Sequence, residues 1–375
     1  MSTAERYPVV IVGAGPAGLA TSAELRRRNI EHVVLERGGA PGHTWMNLYD
    51  SLTLHTGKHL SSLPRMSFDR RVGIFPTRGD FVSYLHRYAE VFELPIETGR
   101  AVTAMERDGA AWVVRTADGD IRADAVVMAT GIVGGPRVPD VRGHDRFRGR
   151  VIHSIDYRRP AGYAGKRVLV VGVGNSGGEI ASELAAAGAH VTVAVRSGAN
   201  VVPLRVAGIP IQYLAFAMRK LPVAVRRRIA AGVGKITEVR RGPSPLPRPA
   251  HGPLDAIPLI GFHLVDAIKS GKVQVRGGLA ELTETGVRFA DGGEEPFDEV
   301  IFATGFSAAI GPLGTLVRTD AKGFALRTDR VTSADQPHLY FVGHTYDATG
   351  GLYNIAKDSA LAAERIASAR RRGAA

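Results

Sequence analysis

Cysteine is absent from this sequence of 375 residues. The protein therefore has no disulfide, no thiolate metal ligand and no redox-active cysteine pair. No apolar run reaches the roughly 18 residues that a membrane-spanning helix needs, and no basic segment precedes the first apolar stretch as it would in a signal peptide. From these absences we expect a cytoplasmic protein that has no membrane-spanning helix and holds no metal ion.

Acidic residues are in the minority. The chain has 48 Lys and Arg but 36 Asp and Glu, which gives a net charge of +12. A nucleic-acid-binding surface needs basic residues clustered with exposed aromatic side chains. The arginines here are spread along the chain, with short runs at residues 26–28, 226–228 and 370–372. We therefore expect no nucleic-acid partner. The positive field would instead attract an anionic nucleotide or an acidic substrate.

What the sequence does contain is a glycine-rich turn near its start, Gly13-Ala14-Gly15-Pro16-Ala17-Gly18. The apolar segment Tyr7–Val12 predicts a buried strand before the turn, and residues 19–28 predict a helix after it. The first glycine permits the tight turn, the second lets a pyrophosphate approach the backbone, and the third lets the helix pack on the strand. The N-terminus of the helix then faces the phosphates.

A second predicted strand, His32–Leu35, ends at Glu36, about 20 residues after the turn. At that place a carboxylate can accept hydrogen bonds from ribose hydroxyls. Strand, turn, helix, strand and terminal acid together predict a dinucleotide site, which the glycines alone would not.

The same pattern recurs in the second half of the chain. Lys166–Val171 predicts a strand, and the turn after it contains Gly172, Gly174, Asn175, Ser176 and Gly177. The next strand, His190–Val195, ends in Arg196 and Ser197 instead of an acid. A carboxylate would repel a 2′-phosphate, whereas a guanidinium binds it through paired hydrogen bonds. We therefore expect the second site to bind NADPH in preference to NADH.

The tripeptide Ala-Thr-Gly also occurs twice, ending in Thr130-Gly131 and in Thr304-Gly305, each time after a predicted buried strand. The two glycine turns predict an α/β protein with two Rossmann-like dinucleotide-binding domains. The paired tripeptides resemble the points at which the chains of a known two-domain family pass between the domains, which implies that the second domain is inserted in the first. The expected boundaries are 1–160 and 306–375 for the two parts of the first domain, and 161–305 for the second domain with an irregular insert at about 199–258.

Two local predictions concern strands and helices near these sites. Ile121–Arg122 and Ala125–Ala129 predict two separate strands, and Leu259–Ser270 predicts a single helix.

The segment between the two turns has the form Phe147-x-Gly149-x-x-x-His153-x-x-x-Tyr157. In this position the motif, which we call the linker motif, resembles the fingerprint of the class B flavin monooxygenases. These include flavin-containing monooxygenases, N-hydroxylases and Baeyer–Villiger enzymes. The resemblance extends over nearly the whole chain and implies FAD at the first turn and NADPH at the second. The alternative is a connector that only packs the two domains together.

By this resemblance, the segment that contains Trp45 and Tyr49 passes beneath the flavin ring. Flavin-containing monooxygenases usually have an asparagine shortly after it, where this sequence has His55; the YUCCA-type, auxin-forming members also have Leu-His there. His55, His153 and Tyr157 are therefore the candidate catalytic residues. For His55 a purely structural role is the alternative.

The resemblance assigns the other candidate residues to cofactor binding. They are Gly13, Gly15, Pro16, Ala17, Gly18, Glu36, Arg37, Trp45, His55, Thr130, Gly131, Gly172, Gly174, Asn175, Ser176, Gly177, Arg196, Ser197, Thr304, Gly305, Gly343, Gly351 and Leu352. Gly351 and Leu352 open a last predicted helix, whose N-terminus would stabilise negative charge on reduced flavin. His344 follows Gly343 where many relatives have an acid, and no role is assigned to it.

The activity that the resemblance implies is the insertion of one oxygen atom of O2 into a small organic substrate. NADPH reduces FAD, the NADP product stays bound, and a C4a-peroxyflavin transfers one oxygen atom. Tyr157, in place of tryptophan, favours oxygenation of an amine or a sulfide. The region around His55 favours oxidative decarboxylation of a 2-keto acid, and Baeyer–Villiger oxidation is a further alternative.

Two other functions would use the same sites. One is an NADPH oxidase or flavin reductase, against which the linker motif argues. The other is a redox-sensing protein that binds FAD and NADP without turnover. Residues 199–258 cover the substrate entrance by resemblance. A contact with a membrane surface, as in some relatives, is an alternative use of that insert, but we do not expect it because neither of its two helical stretches has a strong aromatic face. A pairing face for a homodimer is a further alternative.

Overall fold

The computed structural model of the chain describes residues 5–252, 254–345, 347 and 349–373. It has a mixed α/β fold in which the two largest sheets are built mainly of parallel strands. The chain divides into two compact units. The first lies within Met1–Asn47, Leu52–Gly135 and Phe306–Ala375, and the second comprises Leu48–Ser51 and Pro136–Gly305.

The elements are numbered along the chain. The strands are β1 (Glu5–Val12), β2 (Val33–Glu36), β3 (Ile96–Thr98), β4 (Val102–Asp108), β5 (Ala111–Thr116), β6 (Gly119–Met128), β7 (Gly135–Pro136), β8 (Arg150–His153), β9 (Arg167–Val171), β10 (His190–Ala194), β11 (Val201–Val202), β12 (Arg205–Val206), β13 (Ile209–Pro210), β14 (Leu259–Ile260), β15 (Val273–Arg276), β16 (Leu279–Leu282), β17 (Gly286–Phe289), β18 (Glu294–Pro296), β19 (Glu299–Phe302), β20 (Phe306–Ser307) and β21 (Leu339–Phe341). The α-helices are α1 (Pro16–Arg26), α2 (His43–Met46), α3 (Lys58–Ser61), α4 (Arg78–Val91), α5 (Asn175–Ala186), α6 (Ile211–Ala217), α7 (Val223–Arg241), α8 (His263–Lys269) and α9 (Gly351–Gly373).

The sheet of the first unit has the strand order β3-β2-β1-β6-β5-β4, with β21 also paired to β6. Strands β3, β2, β1, β6 and β21 are parallel, whereas β4 and β5 are antiparallel additions. The prediction of two separate strands around residue 123 is wrong. β6 is one strand of ten residues, because its pairing with β1 extends from Ile121 to Met128.

The core of the first unit lies on both faces of this sheet. Val9 and Ile11 point to the side of α1, α4 and α9, and Val10 and Val12 belong to the cluster on the other face. Burial on both faces explains why β1 is almost continuously apolar. Helix α4 begins with a capping box in which Thr77 and Asp80 bond each other's backbone N–H.

The second unit contains a sheet of five strands, all parallel, in the order β15-β10-β9-β19-β8. The first four strands repeat the order found in the first unit. β8, which carries His153 of the linker motif, is the edge strand beside β19. The linker motif therefore lies in this unit, although a first-domain boundary at residue 160 was expected, because β8 completes the second sheet.

The prediction of one helix over residues 259–270 is wrong. Leu259 and Ile260 form the short strand β14, which pairs with Val201–Val202, and the helix begins only at His263. Gly261 separates the two elements with a φ of +93°, in the left-handed region that glycine adopts without strain.

The insert of the second unit is mainly helical. α6 and α7 fill much of residues 211–241, and no residue of α7 is buried. In the described part of the chain, no helix is both long enough and apolar enough to cross a membrane.

Candidate dinucleotide sites and the linker between them

The first glycine turn lies between β1 and α1. Gly13 has a φ of +101°, and a Cβ at this position would stand 2.9 Å from the carbonyl oxygen of Ala129. A Cβ on Gly18 would stand 1.8 Å from the oxygen of Gly13, so α1 packs against the turn at a distance only glycine allows. At Gly15, by contrast, an added Cβ would meet no atom within 4 Å. The turn is therefore closed towards the protein and open at Gly15.

The second turn, between β9 and α5, has nearly the same geometry. Gly172 has a φ of +102°, and its added Cβ would stand 2.6 Å from the oxygen of Ala303. A Cβ on Gly177 would lie 2.2 Å from the oxygen of Gly172, and Gly174 is open. Each turn therefore has one glycine for the bend, one for close packing and one facing open space.

The two Ala-Thr-Gly tripeptides pack directly against these turns. Ala129 lies under the first turn and Ala303 under the second. The hydroxyl of Thr304 donates to the carbonyl oxygen of Arg137. The hydroxyl of Thr130 is buried and has no hydrogen-bond partner among the described residues.

Both helices that follow the turns keep their N-terminal amide groups available. Among the described residues, no side chain caps α1 at Gly15 or α5 at Gly174. The first N–H groups of a helix have no intrahelical partner, and they carry the positive end of the helix dipole. An open glycine beside uncapped N–H groups fits the pyrophosphate of a dinucleotide at each turn.

Glu36 holds the first turn in place. Its two carboxylate oxygens accept hydrogen bonds from the backbone N–H groups of Ala14 and Gly38, both at 2.8 Å. The side chain is buried at the end of β2. Arg37, which follows it, is exposed.

The corresponding place in the second unit is different. Arg196 and Ser197 follow β10 and are both exposed. Across from them is Gly278, where an added Cβ would stand 3.7 Å from the side chain of Arg196. A guanidinium in this exposed position is accessible to an anionic group.

Asn175 and Ser176, the first two residues of α5, bond to protein groups. The amide of Asn175 donates to the oxygen of Pro258 at 3.3 Å and accepts from the N–H of Ile260 at 2.8 Å. Ser176 hydrogen-bonds the side chain of Tyr49. In this structure Asn175 therefore fixes the loop before α8.

The linker motif has a structural reason at each of its fixed positions. The ring of Phe147 lies over Gly149, where a Cβ would be 2.4 Å from that ring and 2.7 Å from the oxygen of Asp298. His153 ends β8, and its Nε2 lies 3.1 Å from the carbonyl oxygen of Gly305. Its Nδ1 accepts from the N–H of Ile155 at 3.2 Å. That acceptance assigns the proton to Nε2, which donates to Gly305.

His153 is buried, and its burial lowers its pKa, against the opposing effect of the Gly305 carbonyl. The imidazole is therefore neutral at physiological pH. Its hydrogen bonds connect the linker to the end of the second Ala-Thr-Gly.

The last position of the motif contacts α5. The hydroxyl of Tyr157 donates to Glu183 at 2.9 Å, and the hydroxyl of Tyr49 donates to Glu179, one helical turn earlier. The centroids of the two tyrosine rings are 6.4 Å apart. Burial, followed by the neighbouring carboxylates, raises the pKa of both phenols, so both remain protonated.

Tyr49 belongs to a short segment, Leu48–Ser51, that is part of the second unit although its neighbours in sequence belong to the first. The N–H of Asp50 donates to the oxygen of Arg158 at 2.8 Å, and the guanidinium of Arg158 donates to the oxygen of Leu48 at 2.7 Å. The segment is thus bound to the residues that follow Tyr157.

The sequence analysis placed Tyr49 only in the segment beneath the flavin ring, and it did not identify Glu179 and Glu183 as site residues. The spacing of the two glutamates, four residues apart on the helix after the turn, places them on one face of α5. Only this spacing could have pointed to them.

The candidate flavin residues of the first unit lie in two places. The Trp45 ring packs edge-on against Phe81 with centroids 4.5 Å apart. His55 is half-buried and follows Leu54, whose N–H donates to the oxygen of Pro76 at 2.8 Å. A group of three or more metal-ligating side chains is absent from the described residues, although His55 and His59 are four residues apart.

The end of β21 meets the first turn. A Cβ on Gly343, with a φ of +82°, would stand 3.0 Å from the Cβ of Ala17. Gly351 and Leu352 begin α9, which packs on α1.

His344 is buried against Phe341, with ring centroids 5.3 Å apart, and neither ring nitrogen has a hydrogen-bond partner among the described residues.

Comparison with known proteins places the chain among flavoenzymes. Residues 10–231 match the family described as pyridine nucleotide-disulphide oxidoreductases. The chain is 38% identical over 312 residues to indole-3-pyruvate monooxygenase YUCCA1 of Oryza sativa subsp. japonica, which covers 80% of this chain and 77% of that protein. YUCCA4 of the same plant is 36% identical over 326 residues, covering 80% and 74%. Among solved structures, a mutant flavin monooxygenase from Stenotrophomonas maltophilia aligns with a TM-score of 0.78 at 25% identity, covering 97% of this chain and 99% of that one.

Proposed function

The chain belongs to the pyridine nucleotide-disulphide oxidoreductase family and, within it, to the flavin monooxygenases of the YUCCA type, and from this premise we propose that it decarboxylates a 2-oxo acid oxidatively. It is an oxidoreductase that uses FAD and NADPH. Because it contains no cysteine, the disulfide chemistry in the family's description does not apply to it.

In the proposed reaction, a 2-oxo acid, O2, NADPH and a proton give the carboxylic acid shortened by one carbon, CO2, NADP+ and water. The bond between the two carbonyl carbons of the substrate breaks, and one oxygen atom of O2 enters the new carboxylate. The other oxygen atom leaves as water. NADPH supplies the hydride and FAD the ring that activates oxygen.

The observation that carries the substrate proposal is the similarity to indole-3-pyruvate monooxygenases over 80% of the chain. The Leu54–His55 pair, which resembles the YUCCA-type sequence at the flavin, agrees with it. We propose an aromatic or otherwise apolar 2-oxo acid as the substrate class.

Each unit is proposed to bind one cofactor. The turn at Gly15, with Glu36 fixing its backbone, would hold FAD, and the turn at Gly174 would hold NADPH. The exposed guanidinium of Arg196 would bind the 2′-phosphate of NADPH. Thr130, whose buried hydroxyl is unpaired among the described residues, would donate to the flavin nucleotide.

The chain's own residues would position the cofactors and exclude water. His153 and Tyr157 hold the linker on Gly305 and on the later part of α5, and so position the linker itself. His55 is proposed to lie at the flavin, where an imidazole can hold or move a proton at Nδ1 or Nε2. Cytoplasmic location and homodimer formation stay predictions.

The experiment that tests the proposal supplies the FAD-loaded protein with NADPH, 18O2 and an aromatic 2-oxo acid. Equal amounts of NADP+, CO2 and a carboxylate with one 18O atom are expected. Gly174→Ala is the matched control and should form no product. Its added methyl group would occupy the place proposed for the NADPH pyrophosphate and would meet no protein atom within 4 Å. Hydrogen peroxide in the same amount as NADP+, with no labelled product, would instead indicate an oxidase or flavin reductase.

Oxygenation of an amine or a sulfide is the second candidate, favoured by Tyr157 at the end of the linker motif. The same assay distinguishes it. A labelled N-oxide or sulfoxide without CO2 release would support it, and inertness of the 2-oxo acids would then reject the first candidate.

A further inference from the structure

Residues 209–257 of the second unit combine exposed apolar side chains with positive charge. Of the twelve large hydrophobic side chains exposed among the described residues, nine lie in this stretch. The stretch also contains nine Lys and Arg against two acidic residues, and so contributes +7 to the net charge of +12. Exposed apolar patches commonly mark interaction sites, and here one insert combines such a patch with positive charge.

The apolar side chains of α7 form a stripe along one face of the helix. Val225, Ile229, Ile236 and Val239 follow one another at spacings of four, seven and three residues, which places them on the same side. Their exposed fractions are 38%, 38%, 57% and 87%. This face is therefore turned away from the protein.

A different side of α7 faces the rest of the unit. The half-buried side chains Arg226, Ala230, Val233 and Thr237 lie beside the stripe, and the half-buried Gly232 lies within it. The helix thus packs mainly through positions beside the stripe, while the four aliphatic side chains of the stripe remain exposed. Folding of the unit does not account for the stripe.

Cations border the stripe on both sides. Arg228 and Lys235 lie along one edge and Arg240 along the other, and none of the three forms an ion pair with a described residue. Arg227 and Arg248, by contrast, are paired with Asp255 and Glu238 at 2.9 and 2.7 Å. The charge next to the apolar face is therefore uncompensated, and α7 as a whole carries six cations and one acid.

We propose that α7 docks the protein on the surface of an anionic phospholipid bilayer, with the helix lying in the plane of the interface. An apolar stripe bordered by Lys and Arg suits this position, because the aliphatic side chains enter the acyl boundary while the cations contact lipid phosphates. A second copy of the chain fits less well, since two such helices would bring like charges together. The expectation of no membrane association rested on the lack of a strong aromatic face in the insert, but aliphatic side chains also enter the acyl boundary of a bilayer.

The first test uses the full FAD-loaded chain and flotation with two kinds of vesicle. Vesicles of phosphatidylglycerol mixed with phosphatidylcholine are expected to carry the protein, and vesicles of phosphatidylcholine alone are not. Added salt should weaken binding, because it screens the cations. Equal binding to both vesicles, or none to either, would overturn the proposal.

Charge variants show whether α7 is responsible. Replacing Arg228, Lys235 and Arg240 together by Gln should weaken binding to the anionic vesicles about 100-fold. The matched control replaces the exposed run Arg370–Arg372 by Gln, which removes the same charge from the end of α9. If both triple variants lose affinity equally, general positive charge explains the binding and the proposal fails.

Apolar variants separate a bilayer from a partner protein. The double variant Ile229→Gln with Ile236→Gln should abolish flotation, whereas Val91→Gln, at a lone exposed valine of α4, should not change it. Thermal midpoints should match the wild type, since both isoleucines are exposed. Flotation that persists in the double variant, or a dimer in solution that this variant dissociates, would overturn the proposal in favour of a second copy.

Discussion

The hydroxyl of Tyr157 donates a hydrogen bond of 2.9 Å to the carboxylate of Glu183, one turn along α5 from the glutamate that accepts from Tyr49. Both tyrosine side chains are buried, and each of the two hydrogen bonds is partly buried. The consequence is that the end of the linker motif is fastened to the helix whose N-terminus forms the second glycine turn. The motif therefore anchors the linker to α5 and adds to the stability of the second unit.

Removal of the two tyrosine hydroxyls should have different effects, on NADP+ binding at Tyr49 and on protein stability at Tyr157. Tyr49 contacts Glu179 and also Ser176 of the turn, whereas Tyr157 contacts Glu183 further along the helix. Tyr49→Phe is expected to raise the dissociation constant of NADP+ several-fold. Tyr157→Phe should lower the free energy of unfolding by about 1–2 kcal/mol while leaving NADP+ affinity within about twofold. Titration calorimetry and urea unfolding measure the two quantities; equal losses of affinity would contradict this division.

In each turn, substitution of one glycine should prevent cofactor binding, and substitution of another should destabilise the fold. Gly15→Ala places its methyl group in open space, so the protein should fold with a wild-type thermal midpoint but lose FAD. Gly18→Ala places a methyl group 1.8 Å from a carbonyl oxygen, so α1 must move and the unit should be destabilised.

The second turn provides the matched pair. Gly174→Ala should retain FAD and lose NADPH binding, while Gly177→Ala should destabilise the second unit. Flavin absorbance after gel filtration and thermal unfolding report the results. A Gly15→Ala protein that keeps its FAD would show that the pyrophosphate does not lie at this glycine.

Arg196 should determine the preference between the two nicotinamide cofactors. Arg196→Ala removes the guanidinium proposed to bind the 2′-phosphate, so the Michaelis constant for NADPH should rise about tenfold or more, while that for NADH stays nearly unchanged. Because the side chain is exposed, stability should not change. The control is Arg371→Ala, at the exposed end of α9. Equal effects on both cofactors would refute the assignment.

His344 should make the protein sensitive to acid. Burial, with a smaller contribution from the charge of Arg327, lowers the pKa of His344 to about 3. Below its ordinary pKa near 6.5, the unfolded chain binds a proton that the folded chain does not. Stability should therefore fall as the pH drops from 6.5 towards 3, by at most about 1.4 kcal/mol per pH unit from this group.

The variant His344→Phe removes that titration and suits the aromatic surroundings of Phe341 and Phe324. Its urea-unfolding free energy should decline less between pH 7 and pH 5, by about 2 kcal/mol compared with the wild type. His190→Asn, at an exposed position, serves as control and should keep the wild-type slope. An unchanged slope in His344→Phe would mean that the folded protein protonates this ring as readily as the unfolded chain does.

The glycine turns were accessible from the sequence because their requirements are local. A left-handed φ at Gly13 and Gly172, and helix packing at Gly18 and Gly177, depend on neighbours within a few residues. The apolar runs of β1 and β9 follow from burial on both faces of a parallel sheet. Sequence alone therefore determined the geometry of both glycine turns and the resemblance to the flavin monooxygenases.

Other features depended on residues that are distant in the chain. Only the fold brings His153 to Gly305, 152 residues away, and Tyr49 to Glu179, 130 residues away. The isolation of His344 and the exposure of the α7 stripe were equally hidden, since burial is a property of the packed molecule. A sequence pattern states which side chains are present. The packing of distant segments decides which of them form hydrogen bonds, which are exposed to solvent and which are buried among apolar groups. The tertiary structure alone decided how the linker is fastened and which face of α7 is left exposed.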